Sequence, residues 1–403
     1  MNTRQQADTA QKKPQWGAVF SMALGVFGLV TAEFLPASLL TPMAASLDAS
    51  EGMAGQAVTV TAIFALLTSF FSASATRSLD RRWVMLVFSL MLIGSNLLVA
   101  FAPNLTFILL GRVLLGISIG GFWTLAAATT MRLVPEAMIP RALSIVFSGV
   151  SVATIVAAPM GSYFGHLIGW RNVFVAAAAI GLLGLIWQGA ALPKMPPNPS
   201  SQGSSLFSVM RRPRMQTALL AIILLFSGHF AFFTYLRPFL ESVTGVGVNG
   251  LSAILLGFGG ANFAGTLIAG VLLERNLHRT LIATPLAMGL MGIGLVAMGS
   301  APLADAVLVA LWGMAFGAVP VGWSTWITRT MPDEAESGGG LLVASIQLAI
   351  TIGAAAGGVI FNVTGAKGVF MGSTLALLIA TLTIYAALRC KPAMAEIKSD
   401  RLS

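Results

Sequence analysis

Twelve runs of apolar residues, each long enough to cross a lipid bilayer, divide this chain at 17–40, 55–76, 83–102, 105–131, 142–168, 171–192, 216–238, 250–273, 280–300, 303–329, 340–364 and 367–389. A helix needs about 20 such residues to cross about 30 Å of hydrocarbon. In lipid the backbone must satisfy its own hydrogen bonds, which leaves only helices or a closed barrel. Barrel strands would be about ten residues of alternating polarity, and these runs do not alternate. Only 9% of residues are charged, against about 25% in a soluble domain. The expectation is an all-α membrane protein with twelve transmembrane helices.

Charge sets the orientation. The chain carries 23 Lys and Arg against 14 Asp and Glu. With the N-terminus inside, nearly all the basic residues fall in cytoplasmic tails and loops. Arg171 and Lys367 fall outside, and Arg112 and Arg237 fall within helices. That distribution places both termini in the cytoplasm and explains the net charge without nucleic acid. The first sixteen residues are polar, with Arg4, Lys12 and Lys13, and no small-residue cleavage site follows the first apolar run. The first helix is therefore expected to remain as its own targeting segment. Cys390, the single cysteine, excludes a disulfide and a thiolate metal cluster.

The stretch LPKMPPNPSSQGSSLFSVMRRPRM, rich in Pro and Ser, reads as a cytoplasmic linker between two six-helix bundles. The expected organisation is a tail at 1–16, bundles at 17–192 and 216–389, a linker at 193–215 and a tail at 390–403. The bundles echo each other at an offset of about 197 residues. MRLVPEA after the fourth run matches TRTMPDE after the tenth, RSLDRR from Arg77 matches ERNLHR from Glu274, and Gly116 with Gly120 match Gly313 with Gly317. Three matches at one offset argue for duplication, and a duplicated bundle places a ligand site near the midplane between halves.

Glu33 is the only acidic residue expected deep within a helix. A charge there costs roughly 2.5 to 3.5 kcal/mol, so it needs a partner or a task. Sixteen residues from Gly17, it lies about 24 Å from the inner edge, a depth shared by Arg112 of the fourth run. The pair can serve as a proton-coupling site or as a static lock between helices. His229, mid-helix in the seventh run, is either a second proton site or a fixed hydrogen-bonding group. Arg237, near the end of that run, is expected to snorkel.

Thr61, Asn96, Trp123, His229, Tyr235, Asn262, Trp323, Thr325 and Gln347 are candidates for a pocket in which aromatic faces stack on a planar ligand and amides and hydroxyls read its edges. Trp326, near an inner helix end, reads as an interfacial belt residue. Gly161, Gly165 and Gly169 form a flat stripe for helix packing, and Pro159 before them predicts a bend. The three histidines are scattered, and neither a phosphate-cradling loop nor paired intramembrane carboxylates occur, which argues against an enzyme, a metal site and ATP-driven transport.

These residues resemble the major facilitator superfamily, in its drug:proton antiporter branch. GVLLERNLHR, with Gly270, Glu274, Arg275 and Arg279, is similar to the loop motif that gates such transporters. The first-half loop departs from it, with Arg77 at the acidic position and Arg81 and Arg82 retained. Arg112 with Gly116 looks like the proton-coupling motif of the fourth helix, and Pro159 with Gly161 and Gly165 like the antiporter motif of the fifth. EFLPASLLTPMA, GGFWTLAAATTMRLVP, FAFFTYLRP and VPVGWSTW are similar to bacterial purine ribonucleoside efflux permeases. The resemblance implies a monomeric, proton-driven, cofactor-free exporter of small molecules such as inosine or guanosine in the bacterial inner membrane. Sugar or broad drug export is the alternative within transport, and a non-transporting membrane sensor the alternative outside it.

Overall fold

The computed structural model describes residues 13–47, 51–197, 206–299 and 301–389. The tail residues Arg4 and Lys12, the middle of the linker and Cys390 lie outside the described residues. The helices are α1 (Trp16–Ser46), α2 (Glu51–Ala75), α3 (Arg81–Ala100), α4 (Leu105–Leu133), α5 (Ile139–Ile168), α6 (Trp170–Ala191), α7 (Pro213–Phe239) and α10 (Pro302–Thr330). Val248–Met298 contains α8 and α9, divided at Asn276, whose backbone leaves the helical region. Ala335–Arg389 contains α11 and α12, divided at Gly365, where φ is +69°. Among the described residues twelve long helices result, as the apolar runs predict, with the short helix Leu206–Met210 standing before α7.

Local chemistry sets several of the boundaries. Asp80 caps α3 by accepting from the Arg82 backbone N–H at 2.8 Å, and Asn104 caps α4 by accepting from Phe107 at 3.2 Å. The Asn276 side chain accepts from Arg279 at 2.9 Å and restarts the chain as α9. Gly169, at φ +83°, ends α5. The last glycine of the expected packing stripe is thus a terminator with nothing near its missing side chain, whereas Gly165 lies against Leu39 of α1. The helical path of α5 runs through Pro159 and Gly161.

The sequence repeat is repeated in three dimensions. A methyl group added at Gly116 would stand 2.6 Å from the carbonyl oxygen of Thr61, and one at Gly120 would collide with that of Ala65. In the second half a methyl at Gly313 would stand 2.5 Å from the Phe258 oxygen, and one at Gly317 would collide with that of Asn262. The offset that relates the glycines also relates the carbonyls they rest on. Backbone contact without a side chain is how membrane helices gain dispersion energy where lipid supplies no hydrophobic force.

Contacts between the halves concentrate on the cytoplasmic side. α5 runs along α8, from Ile155 on Gly259 to Arg141 on Gly270, and Gly339 of α11 rests on the Thr124 carbonyl of α4. Arg81 forms an ion pair with Glu336 across the halves. By contrast α1 and α7 share no extensive packing. This conformation is closed on the cytoplasmic side.

The segment after α6 is pinned beneath the first half. The Asp80 carboxylate accepts the Met195 N–H at 3.0 and 3.1 Å, the Met195 carbonyl accepts the Arg81 N–H at 3.0 Å, and Arg132 donates to the Pro196 carbonyl at 2.7 Å. Met195 is buried by this clasp.

Candidate functional site

A cavity of about 200 Å³ lies between the halves, walled by α1, α4 and α5 on one side and α7, α8, α10 and α11 on the other. Its wall is mostly apolar. Trp123 stacks on Phe147 at 5.0 Å between centroids, and Phe226, Phe230 and Phe316 form an aromatic cluster opposite. The polar wall residues are Glu33, Ser151, Asn262, Thr266, Ser324 and Gln347. Aromatic faces from both halves, with a few amides, hydroxyls and one carboxylate, suit a flat ring with polar edges.

Glu33 is the carboxylate on this wall. Arg112 lies behind it, fully buried, donating from Nη1 to the Ala32 carbonyl at 2.8 Å and standing 5.2 Å from the centre of the Phe174 ring. No ion pair joins Glu33 to Arg112 in this conformation, and Arg112 Nε and Nη2 are buried without hydrogen-bond partners. The expected pairing is therefore one of proximity: a cation with spare donors beside a carboxylate that faces the cavity.

His229 does not line the cavity. Its Nδ1 accepts the indole N–H of Trp312 at 3.2 Å, and its ring lies on Phe316, 3.3 Å between centroids and 4° from parallel. An indole N–H can only donate, so Nδ1 carries no proton here. The geometry makes His229 a fixed acceptor behind the aromatic wall rather than a proton carrier in this conformation.

Of the other expected pocket residues, Trp123, Asn262 and Gln347 reach the cavity, and the rest are turned away from it. Thr61 donates to Ala57 at 2.9 Å, Asn96 to Leu92 at 3.1 Å and Thr325 to Val321 at 2.7 Å, each onto a carbonyl one turn back. The Tyr235 hydroxyl donates to the Ala354 carbonyl of α11 at 3.2 Å, with its ring stacked on Phe361. Trp323 is buried edge-on to Trp326, and its indole N–H has no partner. Trp326 is itself buried, which corrects its assignment to the interfacial belt. Arg237 is exposed and pairs with Glu241 at 2.8 Å.

The two loop motifs differ in the structure. Arg77 is exposed, Arg82 donates to the Gly189 carbonyl at 2.6 Å, and Arg81 is buried in its pair with Glu336. In the second half Gly270 provides the close approach to Arg141, while Glu274, Arg275 and Arg279 are exposed. Asp305, in the first turn of α10, is a buried carboxylate outside the expected set, with Oδ2 accepting from Thr244 at 2.8 Å and Oδ1 unpartnered. Phe147, Ser151, Phe226, Phe230, Phe316 and Ser324 were likewise not singled out by the sequence. Among the described residues no cluster of His, Cys, Asp and Glu is arranged to hold a metal.

Comparisons with known proteins agree with this geometry. The profile of the Major Facilitator Superfamily matches residues 22–342. The purine ribonucleoside efflux pump NepI of Salmonella enteritidis PT4 is 46% identical over 380 residues, covering 94% of this chain and 96% of the relative. The protein of the same name from Salmonella typhi is similar to the same extent. Among solved structures, the proton:xylose symporter XylE has a TM-score of 0.75 at 12% identity, covering 92% of this chain and 95% of that one. The transporter FucP has a TM-score of 0.74 at 16% identity, covering 91% and 98%.

Proposed function

Because the chain belongs to the major facilitator superfamily, we propose that it exports purine ribonucleosides from the cytoplasm in exchange for protons, by alternating access to the central cavity. It is a multi-pass transporter of the cytoplasmic membrane, not an enzyme. The substrate class comes from relatives that match it nearly end to end under the name of purine ribonucleoside efflux pump. The observation that carries the coupling is the position of Glu33, a carboxylate on the cavity wall beside a buried arginine with two unpartnered nitrogens.

The outward-open form lets a periplasmic proton reach Glu33. Loss of the negative charge favours closure of the mouth, and the inner seam between α5 and α8 parts. Cargo then enters from the cytoplasm, the proton leaves inward, and the ionised Glu33 gains the spare donors of Arg112. Such exchange requires Glu33 to hold its proton with different affinity in the two states. The proton gradient drives the cycle with no cofactor, and a monomer of two six-helix bundles is the functional unit.

Glu33→Gln in proteoliposomes should abolish inosine accumulation driven by a pH gradient while leaving downhill exchange. Uphill transport equal to wild type would sink the coupling role. The largely apolar wall favours one other reading, export of lipophilic drugs. Proton release by purified protein on adding inosine, guanosine, arabinose or a lipophilic cation in turn separates the two: release with purine nucleosides alone supports the first, and release with the cation alone the second.

A further inference from the structure

On the wall of the cavity Ser151 of the first half hydrogen-bonds two side chains of the second, the Thr266 hydroxyl at 3.2 Å and, more closely, the Asn262 amide. Ser151 of α5 donates from Oγ to the Asn262 Oδ1 of α8 at 2.7 Å. Asn262 is otherwise held by its own half, with Nδ2 donating to the Gly313 carbonyl at 3.1 Å. Its amide is therefore fixed in orientation, with the oxygen directed at Ser151. Below this point the same two helices stay together through Ser144, which donates to the Leu267 carbonyl at 3.4 Å, and through Gly270 on Arg141. The Ser151–Asn262 bond is the cavity-lining part of the seam that must part for the cavity to open inward.

We propose that Asn262 Oδ1 reads an N–H on the ring edge of the cargo, and that Ser151 takes this acceptor back when the seam closes, so that cargo is held from the inside and released outside. The inference rests on the export reading above. An exporter benefits from a site whose affinity falls as it turns outward, and a hydroxyl that returns to the ligand's acceptor supplies that fall. Trp123 and Phe316 offer faces to the ring while Asn262 meets its edge, so the cargo class is a planar heterocycle carrying a ring N–H, as a 6-oxopurine does at N1. A net hydrogen bond of about 1 kcal/mol corresponds to about a fivefold change in affinity.

The test compares binding of inosine with that of 1-methylinosine, which lacks the N1–H. Ser151→Ala protein, whose acceptor stays open in both states, should bind inosine about fivefold tighter than the methylated ligand. Wild type should show a smaller ratio, and the Ser151→Ala/Asn262→Ala double variant none. Ser151→Ala should also slow efflux through slower outward release. A ratio of one in Ser151→Ala, or a ratio there no larger than in wild type, overturns the proposal. If Ser151→Ala does not purify, Glu336→Gln, which loosens the same side of the molecule, gives the same comparison with wild type. Wild-type protein that binds no purine nucleoside refutes the export reading and this inference together. Inosine binding that methylation leaves unchanged in every variant refutes the inference alone.

Discussion

His229 offers Nδ1 to the indole of Trp312 and lays its ring on Phe316, an aromatic of the cavity wall. Its task at the residue scale is to hold that wall. His229→Phe keeps the stacking but leaves the Trp312 N–H buried without an acceptor, a loss of about 1–3 kcal/mol. Thermal unfolding in detergent should register the loss, while the pH profile of transport should keep its shape. A displaced pH profile would restore His229 as a proton carrier. Glu33 was legible in the sequence because a carboxylate in an apolar run stands out at once. Thr61, Asn96 and Thr325 were not legible, because a hydroxyl or amide in a membrane helix can donate to the carbonyl four residues back, and each of these does so, although Asn96 keeps its Oδ1 buried without a partner. From sequence alone such a residue cannot be distinguished from one that faces cargo. Asp305 escaped notice because its position near the start of an apolar run reads as interfacial, whereas the turn carrying Thr244 covers it.

Between elements, glycine sets the distances. Gly317 sits where a methyl group would strike the Asn262 carbonyl and stand 2.7 Å from the Thr266 backbone nitrogen, so α8 and α10 can be this close only without a side chain. Gly317→Ala must push the helices apart, at a cost of about 1–3 kcal/mol. Gly257→Ala, on α8 with nothing within 4 Å, is the control and should be near neutral. Equal effects in a detergent melting assay would refute the packing role. The repeated glycines were visible as a sequence offset, and the twelve helices as apolar runs. Which carbonyls the glycines face was not visible, because spacing defines a stripe on one helix and says nothing of its neighbour. The break at Gly365 fell in the gap already left between two apolar runs just before Lys367, so the helix count did not depend on it.

At the scale of the whole molecule, the halves are held shut on the cytoplasmic side by Arg81 and Glu336. Arg81 is 2% exposed, and removing one partner of such a pair costs about 3–5 kcal/mol. That is enough to reverse a conformational equilibrium, since about 5.5 kcal/mol carries a population from 1:99 to 99:1. Glu336→Gln should therefore favour the inward-open form. In a Cys390→Ser background, a cysteine placed at Ser144 on the α5–α8 seam should react faster with a membrane-impermeant maleimide applied from the cytoplasm. Exchanging the charges with Arg81→Glu and Glu336→Arg should restore slow labelling, and unchanged labelling in Glu336→Gln would exclude the pair as a latch. The clasp formed by Asp80 and Arg132 around Met195 and Pro196 extends the argument to the polypeptide itself. It fastens the chain to the first half before the linker proper begins, so continuity beyond Pro197 is mechanically redundant there. A gene cut between codons 197 and 206, with the two pieces translated as separate products in one cell, should yield a pump that assembles from two polypeptides.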